Sequence, residues 1–260
     1  AGRDVSIDLG KGVTLLDLAS VHGRLEVVQM LLQRGADPDR VGSQYEPILV
    51  YCAGRHNPAI VEALVDAGAD VNIRAERGVT ALMNAAALDL TANMRILLDS
   101  GAGIDLQDEE GWTALMAATA GGHPEAVAML LQNSADPNLA KDGDVTGLMM
   151  AVAHQRPDLV ITLLRAGADP SIVSSQGADC RKIARANGNL EIINIIDACS
   201  GRPAPIDHML IREDMEQLHW TVPKKNVNDA ADLFFRAARY NAARVLKYFL
   251  ECGFDVDRRN

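Results

Sequence analysis

The feature that most constrains this chain is a fixed interval. The same pattern opens at Thr14, Pro47, Thr80, Thr113, Thr146 and Asp179, evenly spaced with no insertion or deletion. The segments that begin there read TLLDLA, PILVYC, TALMNA, TALMAA, TGLMMA and DCRKIA. Later in each copy, always at the same distance from the mark, stands Gly35, Gly68, Gly101, Ser134, Gly167 or Ser200. The first five of these open GADPD, GADVN, GAGID, SADPN and GADPS. Six copies in one phase describe an array in which each unit buries its apolar face only against its neighbours.

The chemistry inside a unit predicts its local structure. Thr14, Thr80, Thr113, Thr146 and Asp179 suit helix N-caps, because a side-chain oxygen there meets an otherwise unpaired backbone N–H. A little further on, every copy has a small residue (Ala19, Cys52, Ala85, Ala118, Ala151, Ala184), which lets neighbouring helices approach closely. The chain must then break, often with positive φ. Gly23, Gly122 and Gly188 do this freely, His56 and Asp89 are tolerated types, and Gln155 is the poor fit. A second helix follows, with Pro58, Pro124 and Pro157 suited to its first turn. Its stripe repeats as Val28–Leu31–Leu32 and, in later copies, as Val61–Leu64–Val65, Met94–Leu97–Leu98, Val127–Leu130–Leu131 and Val160–Leu163–Leu164. The Gly that follows suits a C′ cap.

These units resemble the ankyrin repeat, whose unit has the same length, carries T-P-L-H-x-A and closes near G-A-D-V-N. The resemblance implies an all-α solenoid of helix–turn–helix units joined by short hairpin-like turns. One departure is general. The family's His is replaced in all six copies, by Asp17, Val50, Met83, Met116, Met149 and Lys182. The hydrogen bonds that His makes in the family are therefore expected to be absent or replaced.

The pattern sets three segments: residues 1–200 as a partial leading turn plus six repeats, 201–231 as an insertion, and 232–260 as a seventh, truncated repeat. In the sixth copy Arg181, Lys182, Arg185 and Asp197 take places that are apolar or small elsewhere, as a polar capping unit requires. Ile211, Met215, Leu218 and Val222 fall at helical spacing in the insertion, with Asp207 as an N-cap, and predict one extra amphipathic helix. The pattern resumes at Asp232. Gly2-Arg3-Asp4-Val5-Ser6 stands one full interval before GADPD and reads as the closing turn of an earlier unit, so the expectation is an excerpt of a longer protein.

Composition removes several function classes. The net charge is −10, and residues 1–200 taken alone are at −11, against the basic footprint that nucleic acids and anionic membranes select. No apolar run is long enough to suggest a membrane span, and no secretory leader is evident. Cys52, Cys180, Cys199 and Cys252 show no C-x-x-C, so free thiols in a reducing, cytoplasmic setting are expected. The six His include no H-E-x-x-H and no metal-ligand spacing, and there is no G-x-S-x-G. The expectation is a non-enzyme without cofactor, metal or small-molecule substrate.

What remains is recognition of another protein. The resemblance implies a concave face lined by the turn before each mark and by the end of the first helix. Carried over by position, the partner-binding candidates are Glu46, Arg55, Arg77, Leu88, Glu109, Glu110, Trp112, Asp142 and His154. The acids gathered around Trp112 would favour a basic or extended partner segment. Trp is enriched among binding hot spots, although in this turn the ring could equally serve as a cover for the neighbouring hairpin. Arg236, Arg239, Tyr240 and Lys247 offer a secondary interface in the seventh repeat. Two other roles fit a stack of this kind: the targeting or regulatory arm of a larger enzyme, or a structural subunit of a large assembly.

Overall fold

Each mark residue starts a helix. The computed structural model describes residues 13–40 and 46–199. The chain divides into two units, Ala1–Ile196 and Asp197–Asn260, and almost all the described residues belong to the first. The insertion and the seventh repeat, including Arg236, Arg239, Tyr240 and Lys247, lie outside the described residues.

The first helices of the six repeats are α1 (Leu15–Val21), α3 (Ile48–Ala53), α5 (Ala81–Ala87), α7 (Ala114–Gly121), α9 (Gly147–Ala153) and α11 (Cys180–Ala186). The second helices are α2 (Leu25–Gln33), α4 (Pro58–Asp66), α6 (Thr91–Asp99), α8 (Pro124–Gln132), α10 (Pro157–Arg165) and α12 (Leu190–Cys199). Along the stack, first helices pack on first helices and second on second. The strands among the described residues are β1 (Ala140–Lys141) and β2 (Val145–Thr146), antiparallel, with Ala140 opposite Thr146.

The caps follow the sequence reading. The side chains of Thr14, Thr80, Thr113, Thr146 and Asp179 each accept the N–H three residues on. Pro58, Pro124 and Pro157 each occupy the first helical position, where the missing N–H costs nothing. In the stripes the first two members (Val28 and Leu31, then their equivalents) are buried, and the third is half-buried.

The five closing glycine or serine positions among the described residues end a second helix in the same way. Gly35 donates to Leu32 and Ala36 to Leu31, and the bonds recur at Gly68, Gly101, Ser134 and Gly167. This is the Schellman arrangement, which pairs two carbonyls a helix would otherwise leave open. Five first helices end likewise. The carbonyl of the small residue, for instance Ala85, accepts from Leu90 across a left-handed residue. Gln155 takes that conformation at φ 56 despite its type. His56 does not: the second copy lacks this turn, because α3 stops one residue early and Gly54 caps it at φ −81.

The missing family His is replaced in kind in two copies. In the first unit the Asp17 carboxylate accepts both the Thr14 N–H (2.7 Å) and the Thr14 hydroxyl (2.8 Å). In the third, the Met83 sulfur accepts the Thr80 N–H at 3.4 Å.

The GADVN segments tie each unit to the next. Asp70 accepts the N–H of Asn72 within its own turn, and the Asn72 side chain accepts the N–H of Gly103 in the next repeat at 2.7 Å. The same rung joins Asp39 to Asp70, Asp105 to Asp136, and Asn138 to Asp169.

Candidate partner-binding surface

The turns before the marks form stacked hairpin tips. Within the fourth tip Asp108 and Trp112 are paired: the Asp108 N–H donates to the Trp112 carbonyl at 3.0 Å, and the Asp108 carboxylate accepts the Trp112 N–H at 2.8 Å. The third tip closes by the equivalent bond from Ala75 to Val79, and the sixth by Ser174 to Ala178.

Backbone bonds link one tip to the next. Glu109 donates to the Arg77 carbonyl, Asp142 to that of Glu110, and Ser175 to that of Gly143, each at 2.9 Å. Such close approach demands glycine. A Cβ on Gly111, whose φ is 81, would stand 2.8 Å from the Lys141 Cα.

The side chains on these tips then meet. Arg77, itself at φ 63, forms an ion pair with Glu110 of the next tip. The Lys141 ammonium sits 4.9 Å from the centroid of the Trp112 ring, in cation–π range. Trp112 is half-buried and is not among the residues packed on the hydrophobic core. Glu109, Asp142 and Asp144 remain exposed around it.

Comparison with known proteins agrees with this architecture. The family described as ankyrin repeats (three copies) matches residues 49–141, and ankyrin repeats (many copies) matches residues 16–65. A solved structure, the ankyrin repeat domain of Bcl-3, a unique member of the IκB protein family, superposes with a TM-score of 0.69 at 28% identity. That likeness covers 75% of this chain and 86% of the other. The chain belongs to the ankyrin-repeat family. No curated protein sequence matches it, whereas 490 solved chains do, so the likeness fixes an architecture shared too widely to name a single partner.

The ankyrin stack sorts the candidates into groups. Arg77, Glu109, Glu110, Trp112 and Asp142 come together on the tips. Arg55, Leu88 and His154 lie at the far ends of first helices, roughly 10 Å along the helix axis from the tips. All three are exposed, Leu88 by 55%. Glu46 is exposed immediately before the second mark, with no described contact to either group.

Two participants were missed from sequence. Lys141 is not among the sequence candidates, because its position over Trp112 depends on how one tip stacks on another. Tyr51 supports Arg55, whose guanidinium lies 4.8 Å over its ring and donates to its hydroxyl at 3.3 Å. Their spacing of four across the end of α3 was the available signal.

No group of His, Cys, Asp and Glu among the described residues could hold a metal ion. None of the described helices is long and apolar enough to cross a membrane. The described cysteines are free thiols, and burial pushes those of Cys52 and Cys180 up to about 12.

Proposed function

We propose that this ankyrin stack holds another protein on the surface formed by its central hairpin tips and adjoining first-helix ends, with a basic or extended segment of the partner against Trp112. The ankyrin repeat is in general a non-enzymatic protein-interaction module. The observation that carries the finer reading is the backbone linkage of the tips, which fixes Arg77, Glu110, Trp112, Lys141 and Asp142 from three units in one place. Side chains held this way lose little freedom on binding, which favours affinity without new contacts.

Charge supports a basic partner. Arg77 is already engaged by Glu110, so Glu109, Asp142 and Asp144 are the acids left to face a ligand. A partner Lys or Arg would exchange with Lys141 over the indole face and meet these acids at its edge. Attraction of that kind steers encounter and weakens as salt rises.

The test is affinity capture from source-cell extract with the wild-type chain, a Glu110→Lys/Trp112→Ala variant and an Arg239→Glu/Lys247→Glu variant. Specific capture of one protein, lost in the first variant only and released by salt, is expected. Loss in the second variant only would overturn the reading and move the interface to the seventh repeat.

A further inference from the structure

The two ends of the first helices carry opposite charge. At the tip end, the segment between α6 and α7 holds Asp105, Asp108, Glu109 and Glu110 and no Lys or Arg, and the segment between α8 and α9 holds Asp136, Asp142 and Asp144 against Lys141. The other end is formed by the turns from first to second helix. Among the described residues these turns hold Arg24, Arg55 and Arg156 against a single acid, Asp89, one of whose carboxylate oxygens is buried. All the described histidines, His22, His56, His123 and His154, lie in the same turns and add no negative charge.

These turns abut one another as the tips do. A Cβ on Gly23 would stand 3.4 Å from the Asn57 amide, and one on Gly54 would stand 3.6 Å from the Leu88 side chain. Further along, His123 donates to the Ala87 carbonyl at 3.0 Å and Arg156 to that of Gly122 at 2.9 Å. Arg156 is also paired with Asp158 at 2.7 Å, so its charge is used within the stack. Arg24 and Arg55 are exposed. Of these, Arg55 is held in place. Its guanidinium lies over the Tyr51 ring and donates to the Tyr51 hydroxyl, and its carbonyl accepts from Asn93 of the next unit at 2.7 Å. It forms no ion pair among the described residues, which leaves most of its N–H fork open to a ligand. Across Gly54 stands Leu88, at 55% the most exposed large apolar side chain among the described residues. A cation beside a helix C-terminus is accounted for by the helix dipole. A fixed guanidinium with no counter-charge, set against an exposed Leu, is not.

We propose that this edge, centred on Arg55 and Leu88, docks an acidic segment of a partner protein, with a carboxylate on the Arg55 fork and an apolar side chain on Leu88. Charge selects the occupant: Arg24 and Arg55 repel the basic segment that suits the tips, and the tips repel an acidic one. The carboxylate would take two parallel N–H···O bonds from a guanidinium already oriented by Tyr51, so little side-chain freedom is lost on binding. Leu88 shields that pair from water on one side. The inference rests on the stack being a holder of another protein, and not on Trp112 being the contact.

The test selects a phage-displayed library of random peptides on the full wild-type chain and measures the enriched peptides on purified variants by fluorescence anisotropy. Peptides that join Asp or Glu to an apolar residue are expected. Their affinity should fall about tenfold or more in Arg55→Gln and about threefold or more in Leu88→Ser, and should hold in Glu110→Lys/Trp112→Ala. Arg55→Lys keeps the charge without the fork and should lose part of the affinity. Both side chains are exposed, so thermal unfolding of Arg55→Gln and Leu88→Ser should stay close to wild type, which separates lost binding from lost folding. Failure to enrich acidic peptides, or acidic peptides that bind Arg55→Gln as well as wild type, would overturn the proposal. Basic peptides lost only in the tip variant would leave the reading of the tips standing without this one. Self-association of the peptide-free chain that disappears in Arg55→Gln, seen by sedimentation, would give the edge to a second copy and also overturn the proposal.

Discussion

The side-chain amide of Asn93 donates to the carbonyl of Ala53 across a unit boundary at 2.8 Å, and to that of Arg55 at 2.7 Å. Asn84 of the same repeat takes the carbonyl of Val50. These amides serve the one first helix among the described residues that lacks the left-handed turn, so the third unit completes a helix end the second leaves open. At the place of Asn93 the other units carry Val27, Ile60, Ala126, Leu159 and Ile192. Asn93→Leu would match that apolar norm, yet it should destabilise the stack by about 1–3 kcal/mol, because it leaves buried carbonyls without a donor. Urea unfolding checks this. A loss below about 0.5 kcal/mol would mean that those carbonyls find other donors.

Ser134 and Gln155 hold left-handed backbone at φ 69 and 56, where most other copies place glycine. A Cβ in this conformation costs roughly 1–2 kcal/mol, less whatever its side chain recovers. Ser134→Gly and Gln155→Gly should each stabilise by about 1 kcal/mol, and their effects should add because they end different helices. Thermal unfolding of the single and double variants measures both the size and the additivity.

Gly111 and Gly35 separate strain from collision. Both have positive φ, but a Cβ on Gly35 meets nothing within 4 Å, while one on Gly111 meets the Lys141 backbone at 2.8 Å. Gly35→Ala should cost about 1–2 kcal/mol. Gly111→Ala should cost more and also part the fourth and fifth tips, breaking the bond from Asp142 to Glu110. Amide exchange at Asp142 distinguishes the two outcomes: it should accelerate in Gly111→Ala and stay unchanged in Gly35→Ala.

The features legible in the sequence were those governed by local rules. A Thr before an apolar run, a Pro at the first helical position and a Gly after the stripe each act within one turn of chain, so their spacing carries them. The left-handed turn misled at His56, because α3 ends early there and its carbonyls are satisfied from another unit. Nothing local to Asn93 announces that role. The Arg77–Glu110 ion pair and Lys141 over Trp112 were equally invisible, since both depend on the stacking of tips that lie a whole repeat apart in the chain. The candidate site was thus read as a set of places, while its ion pair and cation–π contact needed the fold.

Cys52 and Cys180 give the stack an alkaline limit. Burial is the main cause holding both thiols up to about 12, and nearby carboxylates (Asp17 for Cys52, Asp179 for Cys180) push the same way. In the unfolded chain the thiols ionise near their ordinary value of 9. Below that value both states hold the proton, and the contribution of each thiol is fully present. As pH rises from about 9 toward 12 the unfolded state alone loses protons, so stability falls. A Cys52→Ala/Cys180→Ala variant should show a shallower decline over that window, measured by urea unfolding at successive pH values, although the lost side chains lower its stability at neutral pH. The same burial should leave both thiols unalkylated by iodoacetamide at pH 8 in the folded chain, while exposed Cys199 reacts. Rapid labelling of Cys52 under native conditions would show that the second unit opens locally, which is where the irregular end of α3 makes opening easiest.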